Sequence, residues 1–199
     1  MRMLAMAAAT LVAGTAAFAQ QPVPAEAVAF ANKVASANTF EIQSSELAKD
    51  HSQSQDVKSF AEQMIKDHTK AGNDFKSAVA EARILPPPRE APNARQQAIL
   101  AKLKNAQGAA FDKAYVSAQL AAHKEAVSLF RDYGKSGRAA PLKDFAQSTF
   151  ATLEHHLSMA QALSRPSGVA SRQAPRGSEG SGGAAIGPPA QTPRKATKP

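Results

Sequence analysis

Between about residues 22 and 163, apolar residues return at alternating steps of three and four, the spacing that lines one side of an α-helix. A first helix is predicted from about Glu26 to His51 on Phe30, Val34, Ala37, Ser44 and Ala48, with Phe40 and Leu47 widening the same face. A second starts after Ser52 or Ser54, either of which can cap it. It follows Val57, Ala61, Met64, Ala71, Phe75, Ala78 and Ala82 until Pro86-Pro87-Pro88 ends it. A short helix around Arg95 to Asn105 carries Ile99, Leu100 and Leu103.

The next helix, from near Gly108 to near Gly134, is apolar on two adjoining faces. One holds Phe111, Tyr115, Ala118, Ala122 and Leu129, the other Val116, Leu120, Val127 and Phe130. A face that wide predicts more than one neighbour. Pro141 suits a helix start, and the last helix runs to about Leu163 on Leu142, Ala146, Thr149, Leu153 and Ala160. No alternating pattern of useful length predicts a strand. The predicted fold class is therefore all-α.

Connection lengths narrow the topology. Short turns join the first two long helices and the last two, so each pair should be an antiparallel hairpin. The connection over residues 89–107 is long enough to travel the length of a bundle. This is the pattern of a ferritin-like four-helix bundle with one long crossover containing a short helix, and it places the second and third long helices parallel.

Four ionisable residues interrupt the apolar stripes, one on each long helix: Glu41, His68, His123 and His156. Burying such a group alone is costly, so they are expected to be paired, hydrogen-bonded or on a metal. Three imidazoles and a carboxylate suit a divalent transition metal such as Zn²⁺, Cu²⁺, Ni²⁺ or Fe²⁺, and the set does not choose among them. Counted from the predicted helix starts, His68 and His123 lie level; counted from the helix ends, Glu41 and His156 lie roughly one to two turns away at ~1.5 Å per residue. The Glu-x-x-His pairs of di-iron bundles are absent, which argues against an oxidising di-iron centre.

A purely structural network is the competing reading. There His68 would bond to Tyr115, and Glu41 would accept from Ser44, Ser45 or a histidine. Acid–base catalysis or a metalloenzyme of the ferritin-like type is a third. No nucleophile motif such as Gly-x-Ser-x-Gly supports catalysis, and a non-enzymatic role is preferred. His51 is expected to interact with the dipole at the end of the first helix, and His155 to be exposed.

Composition sets the surroundings. Arg2, the apolar run Leu4 to Phe18 and Ala17-Phe18-Ala19 have the form of a signal peptide over residues 1–19, too short to span a membrane. The expectation is an exported protein, periplasmic and associated with the outer membrane at most, with no transmembrane span in the mature chain. Residues 164–199 are rich in Gly, Pro, Ser and Ala, the composition of a disordered tail.

The whole chain carries 24 basic and 16 acidic residues, a net charge of +8. Six of the basic residues lie in the tail against Glu179 alone, so the segment 22–163 is near neutral. The basic tail suggests contact with anionic envelope surfaces. It lacks the interleaved aromatics that single-stranded nucleic acid would use, and no nucleic-acid partner is expected. The absence of cysteine excludes thiolate metal sites, iron–sulfur clusters and cysteine nucleophiles.

Five blocks of the chain have a familiar form. They are Phe40-Glu41-Ile42 with Leu47-Ala48, Met64 to Lys70, Gly108 to Tyr115, Ala122 to Phe130, and Leu153 to Leu157. In this order the chain resembles the bacterial family called domain of unknown function 4142 over about residues 26–163. The resemblance implies a ferritin-like fold and an exported, predicted outer-membrane protein, and it implies no activity. Where that family has Leu-Pro before its last histidine block, this chain reads Thr149-Phe150-Ala151-Thr152-Leu153, a change expected to alter a helix kink near His156.

Overall fold

A computed structural model describes residues 22–165. The segments read above as a signal peptide and, beyond Arg165, as a tail lie outside the described residues. Five helices follow one another: α1 (Ala25–His51), α2 (Gln55–Glu81), α3 (Ala94–Lys104), α4 (Gly108–Ser136) and α5 (Ala140–Leu163). Among the described residues there is no strand, and no helix is long and apolar enough to cross a membrane.

The helix ends follow local chemistry. The Ser54 side chain accepts from the Val57 N–H and starts α2. Asn93 and Gln96 form a capping box at the start of α3. The Ser36 hydroxyl donates to Gln96 Oε1 at 2.6 Å and accepts from the Asn93 N–H at 3.1 Å, so the crossover is fastened to α1 where α3 begins. Leu100 and Leu103 then bury the inner side of α3. Proline lies in the first turn of α5, which continues unbroken through residues 149–153 to Leu163.

Packed pairs give the directions of the long helices. Phe30 stacks on Tyr133 while Ser45 bonds to Tyr115, so α1 and α4 run antiparallel. His68 meets His156 and Phe75 meets Phe145, so α2 and α5 are antiparallel as well. Phe60 with Tyr115 and His68 with His123 show that α2 and α4 are parallel, lying diagonally across the bundle. The α4/α5 and α1/α2 hairpins have the most extensive contacts, and α1 against α4 is the most open of the four long seams. At the tight seam, Gly134 has no side chain to hold α5 away, and Gln147 Nε2 donates to its carbonyl at 2.7 Å.

The core is divided. One apolar cluster gathers Phe30, Val34, Phe75, Phe130, Leu142 and Phe145 with their neighbours. The other gathers Val57, Phe60, Met64, Leu103, Phe111 and Tyr115. Between them along every long helix lie the buried polar residues: Glu41, Ser44 and Ser45 on α1, His68 on α2, Gln119 and His123 on α4, and His156 on α5.

Phe30 joins α1 to α4 through Tyr133, at a centroid distance of 3.9 Å, and through Phe130 at 5.4 Å. Phe30→Ala is expected to cost ~3–5 kcal/mol of stability by removing a buried ring and leaving a cavity. Urea unfolding followed by circular dichroism measures this. A loss below ~1 kcal/mol would show that the site collapses or that the ring is not buried in solution.

Candidate metal centre in the polar layer

The four ionisable residues all leave water: Glu41 is 4% exposed, His68 8%, and His123 and His156 1% each. Each occupies an inward position on its helix, where the apolar stripe demands a buried side chain. The three histidines converge. Their ring centroids are 5.4 to 5.9 Å apart, and one ring nitrogen from each lies within 4.8 Å of the others.

His156 is thus level with the other two, not a turn or more away. The ends of α4 and α5 are staggered, so counting from them misjudges relative depth. Glu41 is buried and borders the same cleft as His68 and His123, but its carboxyl is not among the ligand atoms within 4.8 Å.

Each imidazole is held by one nitrogen. His68 Nδ1 meets Asn38 Oδ1 at 3.0 Å, His123 Nδ1 meets the Gln119 carbonyl at 3.0 Å, and His156 Nε2 meets Asp67 Oδ2 at 2.9 Å. All three partners are acceptors, so each of these nitrogens carries the proton and donates. The remaining atoms, His68 Nε2, His123 Nε2 and His156 Nδ1, are therefore lone-pair nitrogens. None of them has a hydrogen-bond partner among the described residues. Three basic nitrogens with their tautomers set from behind are the arrangement of metal-ligating histidines.

Electrostatics keep the rings neutral. Burial, reinforced by repulsion from His123 and His156, holds His68 well below the ordinary histidine value. Burial and His156 lower His123 to about 4. Burial also lowers His156, although Asp67 opposes the shift. At neutral pH the cluster is uncharged and its lone pairs are free. Asp67 itself is only partly buried. Burial would raise its carboxyl, but hydrogen bonds from Gln63 and His156 outweigh that and lower it. It therefore stays an anion behind His156.

Three supporting residues, Asp67, Asn38 and Gln119, were not among those singled out in the sequence. Asp67 does not share His68's face, yet it turns to the neighbouring helix and meets His156. Asn38 belongs to no stripe. Its amide sits against Gly72, where an added Cβ would lie 2.8 Å from Asn38 Nδ2, so the missing side chain makes room for it. Gln119 was legible in principle, since Phe111, Tyr115, Gln119 and His123 step by four along one line.

The structural pairings expected for these residues also differ. Tyr115 bonds to Ser45 at 2.8 Å rather than to His68. Ser44 donates to the backbone carbonyl of Glu41, not to its carboxyl, and accepts from Gln119 Nε2 at 3.0 Å. His51 Nδ1 lies 2.8 Å from the Ala106 carbonyl, joining α1 to the α3–α4 junction. His155 is exposed, as its place off the stripe implies.

A family model described as domain of unknown function (DUF4142) matches residues 12–163. The chain belongs to this family. No curated protein matches the DUF4142 chain, and no solved structure matches it.

Burial pushes the Glu41 carboxyl up to about 8, a rise only partly offset by the Gln119 amide. The folded protein therefore holds a proton there that the unfolded chain releases near 4.5. A raised carboxyl contributes stability that falls as pH climbs from about 4.5 through about 8. Glu41→Gln keeps the shape and cannot ionise. Metal-free E41Q is expected to melt at a higher temperature than the parent at pH 9, with the difference shrinking toward pH 5. Parallel melting curves at both pH values would place the carboxyl in water.

Proposed function

We propose that this protein is an exported, ferritin-like helical bundle whose function is to bind one divalent transition metal ion through His68, His123 and His156. The observation that carries the reading is the set of three buried, neutral imidazoles, each with one nitrogen fixed by an acceptor and the other left without a partner. A merely structural network would be expected to satisfy those inner nitrogens, because an unpaired buried polar atom costs ~1–3 kcal/mol. Here three occur together.

Bound zinc-type ions hold imidazole nitrogens at ~2.0–2.1 Å, so the rings would each close inward by about 0.7 Å from a 4.8 Å triangle. Adjustment of three side chains, one each on α2, α4 and α5, would supply that much. A three-imidazole set leaves a fourth coordination position. Glu41 borders the same cleft, but its carboxyl is not among the converging atoms, so that position is left to an outside ligand. The crossover topology, with α2 and α4 parallel, supports the ferritin-like reading. The leader-like pattern of residues 1–19 supports export, and the preferred role is a non-enzymatic one in the cell envelope.

The test is metal analysis of the protein purified without a histidine tag and loaded with Zn²⁺, Co²⁺, Ni²⁺ or Cu²⁺. One equivalent is expected to be retained. His68→Ala, His123→Ala and His156→Ala are each expected to weaken binding by more than ~100-fold, because three ligands become two. Protein that stays metal-free after loading would leave only the structural network.

Asp67→Asn probes the support behind His156. The neutral amide no longer raises the basicity of the ring, and affinity is expected to fall ~10–100-fold with the fold intact. Competition with a chromogenic chelator measures it. Unchanged affinity would detach Asp67 from the site.

A further inference from the structure

The open α1/α4 seam leads to the polar layer. A cleft of about 830 Å³ lies along it, with His68, His123 and Glu41 among its lining residues. Its walls are Phe30 and Val34 on α1, Leu129 and Phe130 on α4, and Leu153 on α5. The seam stays open because Ala37 on α1 faces the cleft with Ala122 and Ala126 on α4, where larger side chains would interlock. His68 Nε2, His123 Nε2 and Glu41 Oε2 are all buried without partners. The cleft thus joins an apolar corridor to unsatisfied polar atoms, which is the composition of a ligand site.

We propose that the α1/α4 cleft binds a small monocarboxylate with an apolar tail, its headgroup taken up beside His68 and His123 and its tail lying along the walls. The inference rests on the metal reading above. A divalent ion on three neutral imidazoles keeps its full charge in a region shielded from water, and the one fixed anion bonded to the cluster, Asp67, stands behind His156. An anion arriving through the cleft supplies the missing charge and the fourth ligand. The rim restricts which anion. Besides the buried Glu41, the described residues lining the cleft include Glu26, Glu125 and Asp132, paired with Arg138, Arg95 and Arg131, and Lys33 is the one lysine or arginine among them. A phosphate or another multiply charged anion would find those guanidiniums already engaged by carboxylates, with Lys33 alone among the lining residues to hold it. A singly charged headgroup passes more easily, and an apolar tail gains from the walls.

The full chain loaded with Co²⁺ provides the readout, because the visible spectrum of cobalt changes when its fourth ligand changes. Titration with acetate and with octanoate is expected to shift the spectrum in both cases. Octanoate should bind at least ~30-fold more tightly, since each buried methylene contributes ~0.8 kcal/mol and the tail is only partly enclosed. Ala37→Leu and Ala126→Leu fill the cleft from opposite sides. Both are expected to load cobalt and bind acetate as the parent does, while losing most of the octanoate advantage.

Several outcomes would overturn the inference while leaving the metal site standing. They are cobalt loading with octanoate no tighter than acetate, an octanoate advantage kept in both leucine variants, and inorganic phosphate binding more tightly than octanoate. Failure to load cobalt would overturn the metal reading and this inference together.

Discussion

The constraint on which this bundle depends is the burial of a polar layer through the middle of its core. Seven buried residues from all four long helices form it, and it separates two apolar clusters that would otherwise be continuous. Such a layer is tolerable only where its groups find partners. Much of it succeeds: Ser45 meets Tyr115, Gln119 reaches Ser44, and the outer nitrogen of each histidine meets an oxygen. The inner histidine nitrogens do not. The cost concentrates at one point, where a single ion would relieve all three.

That concentration follows from the packing. Because α2 and α4 run parallel on the diagonal, His68 and His123 can stand at the same height, and antiparallel α5 brings His156 to them. The apolar clusters on either side set that height: Phe60 against Tyr115 below and Phe75 against Phe145 above hold α2 in register. The supports come from neighbouring helices or the preceding turn. Asn38 of α1 serves His68, Asp67 of α2 serves His156, and the Gln119 carbonyl serves His123. Removing any one helix would therefore take away a ligand, a support or both.

The seams are unequal, and this asymmetry gives the layer access to the outside. Contacts between α4 and α5 are close enough for Gln147 to reach the Gly134 carbonyl, whereas the alanines of α1 and α4 leave their seam unfilled over the histidines. The crossover helix α3 is tied to α1 through Ser36 and Gln96, so the open seam is bordered by a fixed element. A site closed on three sides and approached along the fourth can exchange an ion or a ligand without unfolding the bundle.

The amino-acid order by itself determined the helices, because a stripe with a period near 3.6 and capping residues such as Ser54 and Asn93 act within a few residues of chain. It also determined that Glu41, His68, His123 and His156 turn inward, since each sits on such a stripe. Only the tertiary structure decided which of them meet. Depth along a bundle depends on how staggered helices interlock, and that brought His156 level while leaving the Glu41 carboxyl outside the cluster. Asn38 and Asp67 were illegible for the same reason: their roles are toward neighbouring helices, and no period within one helix records what lies across a seam.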